Sequence, residues 1–147
     1  ADHTRRMALF KPLPRRFVVA EESMGPGLRP GDSLFGFIAS RFRRGDIAVF
    51  EHPHRQGFWL VKRAVGLPGE MVEIADGAIY IDGDRLADLW GNGATAPNGR
   101  WELPLGHIFA LSDSRSVTLA DSRTFGPVAI GGAYRVMFRL HNHKKHD

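Results

Sequence analysis

Two residues of this chain could together perform hydrolytic chemistry, a serine, Ser23, and a lysine, Lys62. A serine hydroxyl attacks a carbonyl well only when a base removes its proton, and lysine is such a base only when its pKa falls from about 10.4 towards neutrality. Burial supplies that fall, because an apolar surrounding penalises the ammonium, by up to ~3–5 pH units when complete. Lys62 stands in Phe58-Trp59-Leu60-Val61-Lys62-Arg63-Ala64-Val65-Gly66-Leu67, and no other lysine lies between Lys11 and Lys144. Strand alternation puts Phe58, Leu60, Lys62 and Ala64 on one face and Trp59, Val61, Arg63 and Val65 on the other. Each face carries one cation, and periodicity leaves open which is buried and which is solvated. Ser23 lies where Val18-Val19-Ala20-Glu21-Glu22 runs into Met24-Gly25-Pro26-Gly27. Such a turn exposes a hydroxyl and frees backbone N–H groups for an oxyanion, and it equally suits an ordinary turn serine.

The elements that must position these residues read as strands. Glycine and proline punctuate the chain, 17 and 9 residues, and the apolar segments between them are short and rich in Val, Ile and Phe. Strands are expected at Phe17–Glu21, Ser33–Ile38, Asp46–Glu51, Gly57–Val65, Met71–Ala75, Ala78–Ile81, His107–Leu111 and Ala133–Phe138. Asp76-Gly77 reads as a two-residue hairpin turn, since both residue types tolerate positive φ. Leu89 to Arg100 is dense in Gly, Asn and Pro and is expected to be a surface loop. Ala39 to Arg43 is the one expected helical turn, stopped by Arg43-Arg44-Gly45.

A chain of 147 residues fits one domain with a modest insertion. The net charge of +4 gathers at the ends, at Arg5, Arg6, Lys11, Arg15 and Arg16 and at Lys144 and Lys145. A nucleic-acid binder would carry a basic, aromatic-laced patch within its fold, so no nucleic-acid partner is expected. The absence of cysteine excludes disulfides, thiolate metal sites and a cysteine nucleophile. The pairs His52/His54 and His141/His143 lack a third ligand at a helical spacing, so neither a metal nor another cofactor is expected. No run approaches the ~20 apolar residues of a spanning helix.

Four successive blocks resemble the signal peptidase I family. Ser23-Met24-x-Pro26-x-Leu28-x-x-Gly31-Asp32 is similar to its nucleophile segment, and Arg44-Gly45-Asp46-Ile47-Ala48-Val49-Phe50 to the strand after its R-G-D turn. Val61-Lys62-Arg63-Ala64-Val65-Gly66-Leu67-Pro68-Gly69-Glu70 resembles its general-base segment. Ser112-Asp113-Ser114-Arg115, followed by Asp121-Ser122-Arg123-x-Phe125-Gly126-Pro127-Val128, resembles its C-terminal signature. The resemblance implies that Ser23 attacks the scissile carbonyl, that Lys62 takes and returns the proton, and that the Ser23 N–H serves the oxyanion. It also implies supporting ion pairs, Arg63 with Asp113 and Asp121 with Arg123, so that Lys62 is the buried cation of its strand.

The chain departs from the family pattern at Gly27, where Thr is usual, and at Ser112 and Ser114, which replace Gly and Asn. The interval to Asp121 is also one residue longer, which leaves Thr118 and Ser116 as candidates for the hydroxyl that orients Lys62, with Thr118 preferred. Glu21 stands where some members place a small or hydroxyl residue near the oxyanion.

The expectation is therefore an all-β fold. Its core is a coiled antiparallel sheet of residues 17–67 and 105–140, with an inserted β-hairpin lobe at 68–104, a basic tail at 1–16 and a polar tail at 141–147. The expected activity is that of a serine endopeptidase with a Ser-Lys dyad, removing a signal peptide or a propeptide after small residues. The partner is an extended segment of a preprotein or proprotein, with a membrane surface as a second candidate partner. If an anchor belongs to the chain, its site is extracytoplasmic and membrane-associated. Otherwise it is a short, soluble and cytoplasmic relative, similar to maturation proteases of nickel-type superoxide dismutase. The rivals are a catalytically impaired peptide-binding β module of the same fold and a self-cleaving protease.

Overall fold

Short alternating apolar runs separated by glycine turns can satisfy their backbone only by pairing edge to edge, and the chain does so in two antiparallel sheets. The computed structural model describes residues 13–142. Its strands are β1 Arg15–Val18, β2 Ser33–Ile38, β3 Ile47–Glu51, β4 Trp59–Gly66, β5 Met71–Ala75, β6 Ala78–Ile81, β7 Asp84–Arg85, β8 Gly99–Glu102, β9 His107–Leu111, β10 Val128–Ala129 and β11 Tyr134–Leu140, with one short helix, α1, at Ser122–Phe125. The larger sheet runs β1-β2-β11-β3-β4-β9-β10 and the smaller β7-β6-β5-β8.

Strands β4 and β9 form the wall between the two cores. Leu60, Ala64, Ile108 and Ala110 face one cluster with Phe42, Phe50 and Ile130. Val65, Phe109 and Leu111 face the other, closed by Val72, Ile74 and Ile79 of the smaller sheet and by Leu103 just beyond β8. The β4–β9 register slips between Ala64 and Gly66, which turns β4 out of one sheet towards the next. Arg44 clamps that exit: its guanidinium holds both Glu70 carboxylate oxygens at 2.7 Å and the Val65 carbonyl at 2.9 Å. A third cluster, Val19, Met24, Leu28, Leu34 and Val49, lies beneath the Ser23 turn.

The Asp76-Gly77 hairpin forms as expected, with φ of 49° and 81°. Elsewhere the structure differs in instructive ways. The first strand begins earlier, at Arg15, so the basic run enters the sheet two residues before its expected end, and the chain leaves the sheet after Val19. Residues 1–12 and 143–147, including the lysines expected in the tails, lie outside the described residues. Ala39–Arg43 is not helical, because the Ala39 amide continues the sheet by donating to the Ala133 carbonyl at 2.8 Å and Phe42 is drawn into the core. Helix α1 arises instead where Asp121 caps it, accepting from the Arg123 amide. Leu89–Arg100 is less free than expected: Thr95 is buried and bridges Gly77, Asn92 bridges Ser114, and Gly99 opens β8.

Gly66 sits at a close approach between the two sheets. A Cβ there would lie 2.6 Å from Val72 Cγ2 and 2.9 Å from Phe109 Cβ. Gly66→Ala is expected to lower stability by about 1–3 kcal/mol through overpacking, read from the midpoint of urea unfolding.

Candidate active site

The turn carrying Ser23 is fastened at both ends. At its base the Val19 amide donates to Asp32 O at 2.9 Å and the Gly31 amide to Val19 O at 2.8 Å. Within it Met24 and Leu28 point into the core, with the Leu28 amide bonded to Met24 O at 3.0 Å. The chain beyond β9 holds the nucleophile segment from the other side: the Ser114 amide donates to Ser23 O at 2.9 Å, and Ser114 Oγ donates to Gly25 O at 2.7 Å. Ser23 is left only 5% exposed. Among the described residues its own amide makes no hydrogen bond.

Lys62 shares the inward face of β4 with Leu60 and Ala64 and is 3% exposed. Its Nζ donates to Ser23 Oγ at 3.1 Å and to Ser112 Oγ at 2.9 Å. The pairing of β4 with β9 begins only at Arg63–Leu111, so among the described residues one edge of Trp59–Lys62 is unpaired, and it borders a cleft. Val19, Ala20 and Met24 line the opposite wall of that cleft.

The electrostatics single out this lysine. Arg63, on the opposite face of β4, grips Asp113 through Nε at 3.2 Å and Nη2 at 2.6 Å and also donates to Gly45 O at 2.9 Å. Asp121 and Arg123 form a second, wholly buried pair, Nε to Oδ1 at 2.9 Å and Nη2 to Oδ2 at 2.7 Å. Arg123 spends its remaining donors on the carbonyls of Ala96, Arg115 and Thr118. These pairs keep their own charges neutralised, and among the described residues Lys62 is the buried charged side chain without an ion-pair partner. Burial pushes its ammonium down from 10.5 to about 8. The negative charges of Asp121, Glu21 and Asp113 work against that fall, and Arg123 assists it.

The hydroxyl on Lys62 is not the expected one. Thr118 Oγ1 accepts from the Ala120 amide at 3.0 Å, and Ser116 is exposed. The lengthened interval before Asp121 lets residues 116–120 loop outward, leaving Val117 and Leu119 60% and 50% exposed. Ser112 takes the place beside the amine, because the register Arg63–Leu111 sets the next residue of one strand against the preceding residue of the other. The substitution of Gly by Ser at position 112 was the available signal.

Sequence reasoning also assigned no role to Arg115. Its side chain is fully buried; Nε donates to Ser112 O at 2.7 Å, Nη1 to Asp88 Oδ2 at 2.8 Å and Thr95 Oγ1 at 2.7 Å, and Nη2 to Asp88 Oδ1 at 3.0 Å. It ties the 88–95 segment to the strand end that reaches Lys62, a link no local pattern shows.

His52 packs between Phe58 and Phe125, and His141 contacts Asp32. Among the described residues no group of three His, Asp or Glu side chains could hold a metal, and no helix is long and apolar enough to cross a membrane.

Known proteins resemble this chain in sequence and fold. Residues 4–133 match the family model described as signal peptidase, peptidase S26. A signal peptidase I of Bacillus licheniformis is 31% identical over 133 residues, covering 80% of this chain and 68% of that protein. Signal peptidase I V of Bacillus subtilis (strain 168) is 30% identical over 125 residues, covering 72% of this chain and 73% of that protein. The crystal structure of a signal peptidase I from Enterococcus faecalis V583 superposes with a TM-score of 0.58 at 29% identity, covering 67% of this chain and 98% of that one. Fold and relatives together define the class, a peptidase built on antiparallel β-sheets. More particularly, the chain belongs to the signal peptidase S26 family.

Two stability measurements test this electrostatic picture. A lysine whose folded pKa lies near 8 destabilises the fold fully below that pH, progressively less up to 10.5, and not at all above. Lys62→Met is therefore expected to stabilise the protein by up to about 3 kcal/mol at pH 7, with the gain gone by pH 11, in chemical unfolding across that range. Asp121→Asn strands Arg123 as a buried, uncompensated charge and is expected to cost about 3–5 kcal/mol in the same assay.

Proposed function

We propose that this chain is a serine endopeptidase in which Ser23 Oγ is the nucleophile and Lys62 Nζ its general base. The observation that carries the reading is the 3.1 Å contact between Ser23 Oγ and Nζ of Lys62, a buried lysine with no ion-pair partner among the described residues. Neutral Lys62 takes the Ser23 proton as Oγ attacks the scissile carbonyl, then returns it to the leaving amine. The resulting acyl-enzyme is hydrolysed by a water that Lys62 deprotonates. The unbonded Ser23 amide is the oxyanion donor nearest the nucleophile, and exposed Glu21 leaves it that task. Arg63, Asp113, Asp121 and Arg123 support the site by fixing the strand ends that carry it.

The substrate is an extended segment of a preprotein or proprotein. It adds a strand along the open edge of Trp59–Lys62, and the side chains of Val19, Met24 and Leu60 leave room for small residues before the cut bond. Signal-peptide removal places the site at the outer face of a membrane, whereas propeptide trimming, as in the maturation of nickel-type superoxide dismutase, carries no such requirement.

A panel of preproteins and a nickel superoxide dismutase precursor, treated with the wild type, Ser23→Ala and Lys62→Ala, tests the reading. Cleavage after a small residue is expected from the wild type and is lost by on the order of 10⁴-fold in both variants. Because the base must be neutral, kcat/KM should rise about tenfold per pH unit up to about 8 and level off above it. Cleavage that survives both substitutions overturns the mechanism. Peptide binding without cleavage by the wild type would identify a binding module instead.

A further inference from the structure

We propose that Ser112 is the positioning residue for Lys62, a part that sequence reasoning assigned to Thr118; the inference rests on the Ser23/Lys62 reading above. A neutral amine has two N–H donors and one lone pair, and it can take a proton from Ser23 only when the lone pair points at Oγ. Rotation about the Cε–Nζ bond spoils that aim unless one N–H is held elsewhere. Ser112 Oγ, 2.9 Å from Nζ, holds it. The same oxygen accepts equally from the ammonium that forms after proton transfer, so the contact persists through the cycle.

The holder is itself held. Ser112 is fully buried, its amide donates to Asp121 Oδ2 at 3.0 Å and its carbonyl accepts from Arg115 Nε at 2.7 Å. Asp121 is locked by Arg123 and Arg115 by Asp88, so the hydroxyl hangs between two ion pairs that cannot easily yield. A residue is preorganised in this way when its own rotamer and backbone are fixed by partners outside the reacting atoms. Thr118 lacks this arrangement, since its hydroxyl serves the Ala120 amide. The charged groups that act on Lys62 are Asp121, Glu21, Asp113 and Arg123, and none of them is removed with the Ser112 hydroxyl.

Ser112→Ala keeps both backbone bonds and removes only the oxygen. The expected result is a fall in kcat on the order of 10–100-fold with KM unchanged. Because an acceptor of the ammonium is lost, the acidic limb of kcat/KM should also move about one pH unit lower. The Lys62 titration, followed by NMR without substrate, should move the same way and does not depend on cleavage. A merely structural role for Ser112 would lower the amount of folded protein and leave both the limb and the titration in place, which overturns the proposal. So does the converse pattern, in which Thr118→Ala lowers kcat and shifts the limb while Ser112→Ala does neither. If Lys62→Ala itself still cleaves, the underlying dyad fails, and the substrate-free titration still reports whether Ser112 holds the amine.

Discussion

The arrangement depends on one costly act, the burial of a lysine amine that has no carboxylate against it among the described residues. Removing an ammonium from water is unfavourable unless it is paired or neutralised, and here the surrounding side chains offer hydroxyl oxygens rather than a counter-ion. The consequence is an amine poised to be neutral near pH 8 and aimed at a serine. Much else in the fold can be understood as making that cost tolerable.

Three arginine–carboxylate pairs hold the segments that carry the lysine and Ser112, and each closes on itself: Arg63 with Asp113, Arg115 with Asp88, Arg123 with Asp121. The negative charges of Asp121 and Asp113 favour the Lys62 ammonium, and each carboxylate is neutralised by its own guanidinium rather than by the lysine. The same pairs do mechanical work. Arg115 joins the smaller sheet's connecting segment to the end of β9, and Arg123 staples α1 to the carbonyls of the 115–118 loop. Strands β4 and β9, which carry the lysine and lead to Ser112, are the shared wall of two apolar cores, so the site is anchored in that wall.

The local rules were enough to read the strands with clean alternation and the one hairpin whose turn residues demand positive φ; β2, β5, β6 and β9 have the bounds expected from pattern alone. They failed where pairing is set by tertiary partners. The two-residue strands β7 and β10 and the polar strand β8 have no periodicity to detect, and α1 exists because of a capping carboxylate that also serves Arg123. At the site, Ser23 and Lys62 could be named together only through the ordered blocks of the family resemblance, because alternation gave β4 one cation on each face. Ser112 was visible as a departure from Gly, but its meaning lay in the β4–β9 register, which no single segment encodes.

The central claim is that Lys62 is a buried amine neutral near pH 8, and its titration can be watched directly. The chain has four lysines, so ¹³C-lysine labelling of the wild type, with Lys62→Met to identify the signal, resolves Lys62 from Lys11, Lys144 and Lys145. A Lys62 midpoint near 8 is expected, well below the ordinary lysine value of 10.5. A midpoint near 10.5 would mean that the amine stays charged when folded, and would contradict its assignment as the base.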